Sequence, residues 1–279
     1  MTSGRRRILL LGSGGYVGRE IGRRLATGHD VTPTHRSEAH FPGSRAFDIF
    51  RDDPAALADG CFDVVVCAAR VFDETADRGP DAPSRKEAFL RLLARFAGTR
   101  FLFMSSDAVF SGDDGLYGET ARRAPRTPYG QRMRLFEDQV SANVPDHCIV
   151  RASYIFGYAG DSLDKRLSDS MLRLSRGDRL EFFDDMYRSP VEVGQVAEAV
   201  CTLALAEHVG AVHVAGPRMS VYEFQHEALA ALGADTGNVH PTAMPADSPL
   251  PRDTSLRTDL MTRLTGVAPR SIARSLARC

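Results

Sequence analysis

The chain has 279 residues, 25% of them charged and 43% hydrophobic, with a formal net charge of −1. Those figures describe a globular protein of one or two domains, long enough to bury a sizeable core. With 35 basic against 36 acidic residues there is no bulk field for nucleic acid or a membrane surface. The first predicted element is a buried strand, Ile8 to Leu11. A helix follows over Gly15 to Ala26, with Val17, Ile21 and Leu25 on one face at four-residue spacing. Further strands are predicted at Val31 to His35, Asp63 to Cys67, Phe101 to Met104 and Cys148 to Val150. Continuous apolar runs separated by helices predict a parallel sheet covered on both faces, because a half-exposed antiparallel sheet would alternate polar and apolar residues.

The second half is less regular. Helices are predicted at Leu163–Ser175, Val193–Ala206, Val221–Leu232 and Leu256–Leu264, with short strands near Val212–Val214 and Leu180–Phe182. The four prolines between Pro241 and Pro251 predict an extended surface loop. A composition shift near Gly157 divides the expected α/β fold into a doubly wound, dinucleotide-binding unit over residues 1–157 and a smaller substrate-binding region over 158–279. Part of the latter is expected to pack back on the sheet. Five cysteines without C-x-x-C spacing and eight histidines without an H-E-x-x-H pair predict neither a disulfide framework nor a metal site. The apolar run after Arg5-Arg6-Arg7 is too short for a signal peptide, and no run approaches the roughly 20 residues of a membrane helix. A reducing cytoplasm is therefore the expected compartment.

The first functional signal is Gly12-Ser13-Gly14-Gly15-Tyr16-Val17-Gly18, set between a predicted strand and a predicted helix. Gly12 permits the tight turn, Gly15 lets backbone approach a pyrophosphate, and Gly18 lets helix and strand pack closely. That context makes a dinucleotide the expected ligand rather than the loop a plain turn. After the second strand stands Arg36, where an acidic residue would hold the ribose hydroxyls of NAD. A guanidinium suits a 2′-phosphate, which favours NADP over NAD, with a solvated surface arginine as the competing reading.

The most informative stretch is Met104-Ser105-Ser106-Asp107-Ala108-Val109-Phe110-Ser111-Gly112, then Tyr117-Gly118-Glu119, then Pro128-Tyr129-Gly130-Gln131-Arg132-Met133. It resembles the extended short-chain dehydrogenases/reductases, and within them the dTDP-4-dehydrorhamnose reductase family, with its S-T-D-Y-V-F-x-G, Y-x-E and Y-G-x-x-K patterns. The likeness continues in order through Arg151 to Gly157, Tyr187 to Val193, His213 to Gly216 and Leu256 to Gly266. The G-x-x-G-x-x-G spacing of Gly12, Gly15 and Gly18 belongs to the same superfamily. The resemblance implies a Rossmann-type sheet, with Tyr129 as the proton donor, Ser106 holding the carbonyl oxygen and Glu137 as the family's later helix glutamate. It places Asp48 and Ile49 at the adenine, Ala68 and Ala69 in the small-residue turn beside the coenzyme, and Tyr129 in contact with it. It also implies a nucleotide-sugar or similar small carbonyl substrate, and a homodimer formed through helices at about Lys86–Ala97 and Tyr129–Val140.

Two positions depart from the family pattern. The tyrosine of S-T-D-Y is Ala108, and the lysine four residues after the catalytic tyrosine is Met133. Only two of the basic residues are lysines, Lys86 and Lys165, and neither stands there. Residue 133 lies one helical turn from Tyr129, where an ammonium would lower the phenol's pKa. Without it Tyr129 is expected to stay protonated at neutral pH, suited to reducing a carbonyl and a poor base for oxidising an alcohol. Ser105, Arg132 and Met133 are auxiliary candidates, Arg132 because it could lend charge from the same face. The leading reading is an NAD(P)H-dependent reductase. A sugar-nucleotide epimerase or dehydratase of the superfamily, and a cofactor-binding regulatory homologue without turnover, are its alternatives.

Overall fold

A computed structural model describes residues 4–57, 60–71 and 82–277. Seven strands, β1 (Arg7–Leu11), β2 (Asp30–His35), β3 (Arg45–Ala46), β4 (Val64–Cys67), β5 (Arg100–Ser106), β6 (His147–Ala152) and β7 (Gly210–Val214), form one parallel sheet in the order β7-β6-β5-β4-β1-β2-β3. The chain winds outward from β1 in both directions, as expected of a doubly wound Rossmann-type sheet. Eight helices accompany it among the described residues: α1 (Tyr16–Leu25), α2 (Ala82–Arg95), α3 (Pro128–Asn143), α4 (Lys165–Ser175), α5 (Val193–Leu205), α6 (Val221–Ala231), α7 (Asp259–Thr265) and α8 (Ile272–Leu276). None of them is long and apolar enough to cross a membrane.

The apolar strands are buried on both faces, and alternate residues feed two separate cores. Leu9, Leu11, Val65, Cys67, Phe101 and Phe103 pack against Phe89 and Leu92 of α2 and Phe136 and Val140 of α3. Ile8, Leu10, Val64, Val66, Leu102 and Val150 pack on the opposite face against Ile21 and Leu25 of α1 and Val196 and Val200 of α5. The period of two is present, but both phases are apolar, which is why it reads as a continuous run. A third cluster, Phe156, Leu167, Phe224, Ala228, Ile272 and Leu276, joins α4, α6 and α8 away from the sheet.

Several boundaries differ from the expectation. The helix predicted from Leu163 begins at Lys165, because the Asp164 carboxylate accepts from the backbone N–H of Arg166 and Leu167 and caps it there, while Leu163 pairs in a short hairpin with Tyr158. The helix predicted from Leu256 begins at Asp259, because Leu256 is held in a bridge to Tyr117. The stretch expected to be loop from Pro241 instead opens in a strand, Val239–Thr242, parallel to Leu180–Phe183. Proline is tolerated there because the pair has two edges and no third strand.

Candidate active site

All seven glycine-loop residues follow the C-terminal end of β1, where parallel strands present their ligand crevice. Gly12 has a φ of +83°, and a Cβ on it would overlap the Ala69 backbone beyond β4. A Cβ on Gly18 would overlap the Gly12 carbonyl, so α1 can start under the loop only with glycine at both places. Gly15 is different: the nearest atom to a Cβ there would be the Gly12 carbonyl oxygen at 3.5 Å, and the space faces outward. Gly15 is also the N-cap of α1 and has no side chain to occupy the helix's first amides, which therefore remain available to an anion.

A cleft of about 470 Å³ opens over this loop. Gly12, Gly14, Gly15, Tyr16, Val17, Arg36, Asp48, Ile49, Ala68 and Ala69 line it, ten positions singled out from sequence and drawn from four strand ends. Ser13 and Gly18 support the loop from beneath. Ser13 is fully buried, and both its backbone N–H and its hydroxyl donate to the Thr34 carbonyl of β2, at 2.8 and 2.9 Å. Sequence reasoning missed Glu38, His40, Phe47, Phe50 and Arg70 on the same wall. Glu38 had a readable signal, since it is only two residues beyond Arg36 and places a carboxylate beside that guanidinium's stretch of chain. Tyr16 reaches out of the cleft, its phenol donating to the Gly157 carbonyl at 2.8 Å and, being buried near Asp164, held well above its ordinary pKa.

The second group of predicted residues gathers at the end of β5. Ser106 caps a 3₁₀ turn over Asp107–Val109, its Oγ accepting from Ala108 N–H at 3.2 Å. Its hydroxyl also meets Tyr129 and the Asp107 carboxylate, the latter at 3.0 Å. Tyr129 is the second residue of α3, which begins with Pro128 after a Thr127 N-cap. Gly130 brings this helix start down onto the 3₁₀ turn, since any Cβ there would overlap the Ala108 carbonyl. Tyr129 therefore faces Ser106 because its neighbour is glycine. Tyr129 is 38% exposed, yet protein atoms crowd its phenol enough that partial desolvation holds it above the ordinary tyrosine value; the Ser106 hydrogen bond opposes this and Asp107 adds to it.

The auxiliary candidates point elsewhere. Met133 is 3% exposed and belongs to the apolar cluster with Val109, Phe110 and Phe136. The Arg132 guanidinium lies over the Phe136 ring at 5.8 Å. Ser105 faces the opposite side of β5 from Ser106 and donates to Glu137 at 2.5 Å. Glu137 is completely buried and is gripped by Arg151 through Nε and Nη2 at 2.9 and 2.8 Å and by Arg123 at 2.9 Å. This carboxylate rivets α3 to β5 and β6 below the tyrosine. Asp107 makes a corresponding junction above, accepting from Ser153 at 2.7 Å and from Thr254 at 2.6 Å.

A glycine loop opening on a cleft, with a serine–tyrosine pair at the neighbouring strand end, defines a Rossmann-type protein of the extended short-chain dehydrogenase/reductase class. A family model described as the RmlD substrate binding domain matches residues 6–279, and the chain belongs to that family. A relative from Streptomyces antibioticus described as a probable dTDP-4,6-dihydroxy-2-methyloxan-3-one 4-ketoreductase is 31% identical, covering 98% of this chain and 93% of its own. Among solved structures, a hypothetical dTDP-4-dehydrorhamnose reductase from Sulfolobus tokodaii superposes with a TM-score of 0.82 at 22% identity, covering 98% of this chain and all of the other. A dTDP-4-dehydrorhamnose reductase from Bacillus anthracis in complex with NADP gives 0.81 at 20% identity, over 97% of each chain.

Proposed function

We propose that the protein reduces a keto group on a nucleotide-linked sugar with a nicotinamide coenzyme, NADP in preference to NAD. The observation that carries this reading is the cleft lined by the glycine loop, Arg36 and the Ala68-Ala69 turn, opening at the same end of the sheet as the Ser106–Tyr129 pair. The residues present fit a dinucleotide: Gly15 and the open amides of α1 for the pyrophosphate, Asp48 and Ile49 for the adenine, Arg36 for a 2′-phosphate. Ala68 and Ala69 leave room for the chain of the coenzyme past the end of β4. The names borne by the family relatives support the sugar-nucleotide substrate. A reduced nicotinamide held by these residues would supply the hydride for the carbonyl carbon.

The rest of the reaction falls to the protein. Ser106 donates a hydrogen bond to the carbonyl oxygen and holds it beside Tyr129. As the C=O double bond becomes a C–O single bond, its π electron pair passes to the oxygen, the Tyr129 phenol gives that oxygen its proton, and the tyrosinate regains one from solvent. A phenol held above its ordinary pKa is protonated at neutral pH, as an acid for reduction must be. The same property handicaps an epimerase or dehydratase, which must first remove a proton from an alcohol.

The test offers NADPH or NADH with dTDP-4-keto sugars and follows coenzyme consumption. Turnover is expected, with NADPH preferred and with a loss of roughly 100-fold or more in kcat for Tyr129→Phe. Coenzyme binding with no turnover of any keto sugar would establish the regulatory homologue instead.

A further inference from the structure

The end of the second strand of a doubly wound sheet is where a dinucleotide's adenosine ribose is recognised. A carboxylate there accepts from free ribose hydroxyls, and a guanidinium receives a 2′-phosphate. The two devices are rivals, because the carboxylate repels the phosphate. This chain carries both on one wall of the cleft: Arg36 and Glu38 follow β2, and His40 stands beside them. Among the described residues no hydrogen bond or ion pair occupies the Arg36 guanidinium, which leaves it to a ligand. The Glu38 carboxylate instead meets His40 Nε2 at 3.7 Å.

The imidazole is held in place against the glycine loop. A Cβ built on Gly14 would come within 3.1 Å of the Glu38 carbonyl oxygen and 3.6 Å of His40 Cδ2, so this segment lies over the loop itself. The next residue pins it: a Cβ on Gly22 would come within 2.8 Å of Phe41 Cζ, so the Phe41 ring is seated in the notch that Gly22 leaves in α1. The acidic partner is looser, with the Glu38 side chain 78% exposed against 28% for His40, and an ion pair so exposed yields readily to a ligand. The other charged or titratable groups lining the cleft are Arg36, Asp48, Arg70 and the Tyr16 phenol. His35, at the end of β2, has its Nδ1 engaged with the Ser44 hydroxyl at 2.7 Å.

We propose that the Glu38–His40 pair makes the coenzyme preference of this cleft depend on pH, NADPH being favoured while the imidazole is charged and the preference narrowing as the imidazole loses its proton. A charged imidazole neutralises Glu38 and leaves the wall net positive through Arg36, which suits a 2′-phosphate. A neutral imidazole frees the carboxylate, which then repels the phosphate and accepts from the ribose hydroxyls of a coenzyme that lacks it. Histidine is the side chain whose charge changes between pH 5 and 8, whereas a guanidinium stays charged throughout. The phosphate's own ionisation works in the opposite direction: its second proton leaves near about pH 6, and the added charge tightens its hold on Arg36 as pH rises. A preference that declines with rising pH therefore cannot come from the ligand.

The inference rests on the reductase reading for the identity of the coenzyme, and its readout is binding rather than turnover. Wild type, His40→Asn and Glu38→Gln are titrated with NADPH and with NADH by fluorescence, at about pH 6 and pH 8.5. In the wild type the ratio of the NADH to the NADPH dissociation constant is expected to fall roughly threefold to tenfold over that interval. In His40→Asn, which keeps a polar side chain of similar size, the fall is absent and the ratio holds or rises with the phosphate's ionisation. Glu38→Gln raises the ratio, and by more at the higher pH, where the carboxylate no longer has a charged imidazole beside it. A wild-type ratio that follows the same course as His40→Asn overturns the proposal and leaves the reductase reading intact. Coenzyme binding with the expected pH course but no reduction of any keto sugar removes the reductase reading and leaves the proposal standing. Binding of neither coenzyme removes both.

Discussion

At the scale of single residues, the site depends on side chains that are missing as much as on those present. Gly18→Ala sets a methyl group against the Gly12 carbonyl, so the helix must move off the loop. We expect a loss of about 1–3 kcal/mol in urea unfolding together with at least tenfold weaker NADPH binding in a fluorescence titration. Met133→Lys does not restore the family's arrangement, since it inserts an ammonium into a cluster built from Phe110, Phe136 and Val109. The expected outcome is a loss of about 1–3 kcal/mol, whereas Met133→Leu keeps volume and polarity and costs under about 1.5 kcal/mol. His213 supplies the pH dependence. It is fully buried, receives a hydrogen bond from Arg151 at 3.4 Å, and is pushed down to about 3 by burial first and by that guanidinium second. Its folded value lies below its unfolded one, so the stability it contributes is complete above about pH 6.5 and drains away as the pH falls toward 3. Unfolding free energies measured between pH 7 and 4 should decline with a slope component, up to about 1.4 kcal/mol per pH unit, that is absent in His213→Asn.

At the scale of elements, helix α3 is fixed at two points that share no atoms. Its start is set by Thr127, Pro128 and Gly130 against the 3₁₀ turn, and its middle by Glu137 against β5 and β6. Glu137→Ala leaves Arg151, itself 3% exposed, charged and without its carboxylate. A loss of about 3–5 kcal/mol in chemical denaturation is expected, larger than that for replacing the cap with Thr127→Ala, about 1 kcal/mol. These elements were legible in the sequence to different degrees. The strand cores and α1 were readable because local apolar runs and glycine spacing encode them. The starts of α4 and α7 were not, because an aspartate cap and a bridge to Tyr117 decide them, and the second depends on residues 139 positions away in the chain. The glycine loop and the Ser106–Tyr129 pair were visible as ordered motifs. Arg70 was missed for a different reason: it lines the cleft from the loop after β4 and belongs to no motif that the sequence displays.

At the scale of the whole molecule, the sheet and its two cores bring together two sites of unequal construction. The dinucleotide cleft is assembled from residues 12 to 70, about the first quarter of the chain. The serine–tyrosine pair is braced by Asp107, and Asp107 is itself held by Ser153 and by Thr254, 147 positions further on. The sheet's outer strand β7 also comes late, pairing Gly210–Val214 with β6. Replacing Thr254 by valine keeps the side-chain shape and removes the hydroxyl. We expect NADPH affinity to be little changed while kcat falls severalfold, because the loosened carboxylate lets Ser106 and Tyr129 wander. The arrangement also has a consequence for biogenesis. The residues lining the cleft are all synthesised early, within about the first quarter of the chain, whereas Thr254, which braces Asp107 beside Tyr129, is among the last parts to be delivered. A ligand bound in the cleft would thus have early strands to reinforce long before the Ser106–Tyr129 end of the site is braced.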